Sequence, residues 1–147
     1  MNTIARDKTL LALLLALRNL ENPLSSTEKA LLYEVGEQLE LDPDDWEFIE
    51  EGLLAIVTAN PFFHKEFQSA NAQLNYVNIQ ELLPTDKDKE EEIELSRVIE
   101  RRGEREKPQD NSPPIIKITW KFLKHTNLMQ VIKKSNWLFQ VANNLKP

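Results

Sequence analysis

The sequence predicts an all-α chain: a compact antiparallel helical bundle, a charged linker and a basic C-terminal helical segment. Three observations carry that expectation. Apolar residues recur at three-to-four spacing through most of the chain. Cap-and-proline signals separate those patterns. With three glycines in 147 residues, there is little capacity for the tight hairpins of a β-sandwich. The expected organisation is an acidic four-helix body (residues 1–83), a charged linker (84–114) and a basic aromatic tail (115–147) docked on the body or on a partner.

The first helix is expected from about Thr3 to Leu20. Its apolar residues, Ile4, Leu10, Leu11, Leu13, Leu14, Leu15 and Leu17, cover more than one face, as in a central helix packed on several sides. The run LLALLLAL from Leu10 to Leu17 has the apolar character of a signal-peptide core. However, Arg6, Asp7 and Lys8 precede it, Arg18 and Glu21 follow, and no small-residue cleavage site is present. It is also far shorter than the roughly 20 residues needed to span a bilayer. A buried helix is the expected reading.

After the break at Asn22-Pro23, Ser25-Ser26-Thr27-Glu28 spells a capping box. The second helix follows to about Leu39, with Leu31, Leu32, Val35 and Leu39 as its stripe. Asp42 is the expected N-cap of the third helix, with Pro43 in its first turn, and the helix extends to about Thr58. Its expected inward set is Trp46, Ile49, Leu53, Leu54 and Val57, with Glu47, Glu50 and Glu51 facing water. Asn60-Pro61 repeats the signal and opens a fourth helix to about Leu74, with Phe62, Phe63, Phe67 and Leu74 as its core residues.

From Asp86 to Lys107 charged residues dominate, and Pro108 and Pro113-Pro114 then break regular structure, as in a solvated linker. Ile93, Leu95, Val98 and Ile99 give a short amphipathic helix within it, either transient or docked. At the start of the tail, Ile116, Ile118, Trp120 and Phe122 alternate with Lys117, Thr119 and Lys121, a strand-like period. Nothing else in the chain offers a pairing strand, so helix is expected for most of the tail. Ser135 is a candidate cap for the last helix.

Residues 9–57 resemble the helical domain of the TerB (tellurite-resistance) superfamily. The similarity lies in the apolar first helix LLALLLAL, the loop into Leu24-Ser25-Ser26-Thr27-Glu28, the segment Glu37-Gln38-Leu39-Glu40-Leu41 and the opening Asp42-Pro43-Asp44-Asp45. The resemblance implies a helical fold, and fold alone does not assign function. Some members of that family bind metal near an Asp-Gly pair in the first loop. Glu21-Asn22 stand in the corresponding place here, so the resemblance carries no metal role to this chain.

Catalytic signals are sparse. The absence of cysteine excludes disulfides and thiolate metal sites and suits a cytoplasmic location. The two histidines, His64 and His125, fall outside any metal or catalytic motif and are expected on helix surfaces. Asp42, Asp44, Asp45, Glu47, Glu50 and Glu51 lack the glycine and spacing of a calcium loop, so capping and a solvated face explain them. No enzyme activity, metal or cofactor is expected.

Charge is the main functional signal. The net charge of −6 hides a division: residues 1–83 hold five Lys/Arg against fourteen Asp/Glu, whereas residues 115–147 hold six lysines and no acid. The tail also carries Trp120, Phe122, Trp137 and Phe139 among Lys117, Lys121, Lys124, Lys133 and Lys134, which makes these nine the candidate partner-binding residues. Three readings compete. The tail packs on its own acidic body, or docks into another protein through its aromatic face, or meets anionic lipid or nucleic acid. The negative total and the lack of arginine in the tail weigh against a polyanion, leaving a non-enzymatic protein–protein interaction or adaptor module as the expected function.

Overall fold

The structure, a computed structural model, describes residues 3–100 and 112–145. Among these the fold is all-α, with no strand. The helices are α1 (Thr3–Asn19), α2 (Ser26–Leu41), α3 (Trp46–Ala59), α4 (Pro61–Leu74), α5 (Ile79–Leu82), α6 (Asp86–Glu100), α7 (Pro114–Leu123), α8 (Leu128–Lys134) and α9 (Asn136–Asn144). The continuous apolar run makes α1 the central helix. Every residue from Leu10 to Leu17 is buried, and α1 packs mainly on α4 while also touching α5, α7, α8 and α9. A helix apolar on all sides finds its free-energy minimum only where neighbours cover all of it.

Local chemistry sets the helix starts. The Ser25 hydroxyl accepts from the Glu28 N–H at 3.1 Å, and the Ser25 N–H donates back to the Glu28 carboxylate at 2.8 Å. Two amides that α2 itself leaves unpaired are satisfied in this way. The other Glu28 oxygen accepts from the Asn60 side-chain amide at 2.7 Å, while the Asn60 carbonyl oxygen caps Phe62 and Phe63 at the start of α4. One carboxylate therefore couples two helix N-termini.

The third helix starts later than expected. Asp42 closes α2 by donating its N–H to the Gln38 carbonyl, and Asp45 N–H returns to the Asp42 carbonyl at 3.2 Å. Residues 42–45 are thus a turn with Pro43 at its second position, where its fixed φ is accommodated, and α3 begins at Trp46. Two expected core residues also face out. Leu31 lies at the edge of the α2 stripe, and Phe62, in the first turn of α4, points away from the side that buries Phe63, Phe67, Ala70 and Leu74.

The segment expected as linker contains α6, whose Thr85 and Asp88 form a reciprocal cap at 2.9 and 3.1 Å. Glu92, Ile93 and Ser96 on α6 are buried, and the helix packs on α7, α8 and α9. The linker expectation for residues 101–111 lies outside the described residues. Residues 115–121 are helical: in α7, Ile115, Ile116, Ile118, Phe122 and Leu123 are all buried, between α2 and α6. Leu128, Val131, Ile132, Leu138 and Val141 extend the same core through α8 and α9. Ser135 caps α9 as its sequence suggested, accepting from the Leu138 N–H at 3.1 Å.

Candidate functional site

The surface of α2 carries a second stripe, opposite in character to its buried one. Ala30, Tyr33, Glu34, Glu37, Gln38 and Leu41 recur at three-to-four spacing and form one wall of a groove. Facing α2 are Phe48 at the start of α3 and the α7–α8 connection at Lys124–Thr126. Leu123, Leu128 and Ile49 are buried in its floor, and the groove encloses about 910 Å³. Three large apolar side chains stand in solvent along it: Tyr33 is 43% exposed, Phe48 58% and Leu41 74%.

The rim is acidic. Glu34 and Glu37 border one side, Asp42 and Asp45 the far end, and Lys29 the near end. Lys124 is neutralised locally: its ammonium donates to Glu40 at 2.6 Å and lies over the rings of Tyr33 (5.4 Å) and Trp120 (5.8 Å). Burial draws this lysine's pKa down, but the Glu40 carboxylate, aided by Tyr33 and Glu37, outweighs it and holds the pKa above the usual range. The groove therefore keeps a negative potential around an apolar centre.

The sequence-predicted binding residues separate into two groups. Phe122, Trp137 and Lys117 are buried, and Trp137 donates its indole N–H to the Leu82 carbonyl at 3.0 Å. These three therefore serve the core, because helix spacing that suits a partner also suits the chain's own body. Trp120, Lys121 and Lys124 are half-buried, whereas Phe139, Lys133 and Lys134 are exposed, with the Arg18 guanidinium 5.5 Å from the Phe139 ring centre. His125, expected on the surface, is buried. It follows the end of α7, where its Nε2 donates to the Ser96 carbonyl (2.9 Å) and its Nδ1 accepts from the Asn127 N–H (2.8 Å).

A buried polar bridge joins α6 to the head of α9. The Ser135 hydroxyl donates to the Glu92 carboxylate, and Ser96 Oγ donates to the Glu92 carbonyl at 3.0 Å. Burial chiefly pushes the Glu92 carboxyl up, to about 7. The Trp137 and Asn136 amides at the head of α9 oppose the rise, and Asp88 and Glu91 add to it. Sequence reasoning missed both features. Leu41 and Phe48, large apolar residues left over from the buried stripes, were the available signal for the groove. Glu92 had none, since it stands in a run of identical acids.

No family model, curated protein or solved structure matches this chain. Among the described residues, no group of three or more His, Asp or Glu is placed to hold a metal ion, and no helix is long and apolar enough to cross a membrane.

Proposed function

We propose that this chain is a non-enzymatic protein–protein interaction or adaptor module of the cytoplasm, and that it recognises its partner through the α2–α3–α7 groove. The observation that carries this reading is the alignment of Tyr33, Leu41 and Phe48, exposed along one concavity whose floor is continuous with the core. Scattered surface leucines are ordinary, but a contiguous apolar patch rimmed by charge marks an interface. The tail contributes by building the groove: Leu123 and Leu128 form part of its floor, and Lys124 braces its edge.

Leu41→Ser/Phe48→Ser tests the reading. Both side chains are exposed, so the fold should tolerate the change within about 0.5 kcal/mol per site. Proteins retained by the wild-type chain are expected to be lost from the variant, and equal retention by both would sink the reading. The alternative of an anionic lipid surface or nucleic acid draws on the part of the tail that stays exposed, Lys133, Lys134 and Phe139. Binding of that kind would fall steeply with added salt and would be insensitive to the groove variant.

A further inference from the structure

The groove specifies more than a generic interface. Its α2 wall, from Ala30 to Leu41, spans eleven residue steps, a length of about 16 Å or three helical turns at 1.5 Å per residue. Tyr33 and Leu41 on α2 and Phe48 on α3 are exposed in this groove, whose lining also includes the buried Ile49, Leu123 and Leu128. Three turns of a partner helix would place apolar anchors at i, i+3/i+4 and i+7 in such a groove. The flanks add a charge requirement. Glu34 and Glu37 line one side and Asp42 and Asp45 close the far end, while Lys124 is held by Glu40. Lys29 is the opposing charge, at the other end of α2.

From this charge pattern we infer that the groove accepts a short amphipathic helix, basic on its polar face, from another protein. The inference rests on the interaction reading above and names its partner class. Orientation follows as well. A helix presents partial positive charge at its N-terminus and negative charge at its C-terminus. The bound helix therefore lies with its N-terminus toward Asp42 and Asp45 and its C-terminus toward Lys29, antiparallel to α2. Apolar burial supplies most of the affinity, and the acidic rim selects cations and rejects acidic helices of equal hydrophobicity.

Titration calorimetry on the full chain tests this with three synthetic peptides of about 14 residues, long enough to cover the groove. One is a one-sided Lys/Leu helix, the second its Glu/Leu counterpart, and the third a Lys/Leu scramble with no apolar face. The expected result is binding of the Lys/Leu helix at least about tenfold tighter than either control, a difference of about 1.4 kcal/mol. Leu41→Ser/Phe48→Ser should remove that binding, and Glu34→Gln/Glu37→Gln should weaken it several-fold. Glu66→Gln/Glu81→Gln, on α4 and α5, neither of which lines the groove, should leave it unchanged.

Equal binding of the Glu/Leu helix, equal weakening by the two charge variants, or self-association of the chain abolished by Leu41→Ser/Phe48→Ser would overturn the inference. If the Lys/Leu helix fails to bind while natural partners are still lost from the groove variant, the interaction reading stands and the basic-helix inference falls.

Discussion

At the scale of single residues, Glu92 shows how burial changes the meaning of a charge. The residue is 2% exposed and its carboxyl pKa is raised from 4.5 to about 7. The folded state therefore binds a proton more tightly than the unfolded chain does. The stabilisation is complete below pH 4.5 and is lost as pH rises toward 7, with a ceiling of about 3 kcal/mol. Glu92→Gln keeps an acceptor for the Ser135 hydroxyl and cannot ionise. Its advantage over wild type is expected to grow from pH 5 to pH 8 in thermal or urea denaturation, and parallel profiles would contradict this. Glu28 has the opposite sign. The Ser25 amide, chiefly, and Asn60 hold its pKa below the usual range against burial, so its contribution exists at neutral pH and fades on acidification. Glu28→Ala should cost about 1 kcal/mol at pH 7, with the difference shrinking toward pH 3. The Ser25–Glu28 pairing was legible because it is local in sequence. The Glu92–Ser135 bond, 43 residues apart, was not.

Between elements, the contact of α2 with α7 turns on Gly36. A Cβ there would lie 2.9 Å from Lys124 Cγ, 3.0 Å from Leu123 Cβ and 3.3 Å from the Trp120 carbonyl oxygen. Helical glycine to alanine normally gains about 1 kcal/mol from propensity. At Gly36 the overpacked contact is expected to reverse that sign and destabilise by about 1–3 kcal/mol, because the Trp120 oxygen belongs to a backbone that can retreat only by moving α7. Gly52 is the control: nothing lies within 4 Å of its added Cβ, so Gly52→Ala should stabilise by about 0.5–1 kcal/mol. Melting temperatures of the two variants moving in the same direction would refute the packing argument. Sequence periodicity located both helices, yet it could not show that Gly36 lies tight against α7. The strand-like alternation of Ile116, Ile118, Trp120 and Phe122 resolves as helix for a related reason. The α7 segment lies between α2 and α6, which bury Ile115, Lys117 and Thr119 as well, so alternate residues need not differ in environment.

For the whole molecule, the basic tail is structural before it is anything else. Ile115, Ile116, Ile118, Phe122, Leu123, Val131, Ile132 and Leu138 are each at most 2% exposed, and losing even one such side chain costs about 2–5 kcal/mol. Native domains hold only about 5–15 kcal/mol in total. A chain ending at residue 114 is therefore expected to lose cooperative thermal unfolding and to show reduced helicity by circular dichroism. A truncated chain that melts like the full protein would contradict this placement of the tail. The sequence by itself determined the helical class, the central position of α1, the caps at Ser25, Asn60 and Ser135, and the uneven distribution of charge, because propensity, capping and periodicity act within a few residues. Tertiary structure alone decided that α6 docks, that His125 and Glu92 are buried, and that Leu41 and Phe48 remain outside beside an acidic rim. Those outcomes depend on which faces meet across distant parts of the chain, and a residue's exposure is set by the neighbours that cover it.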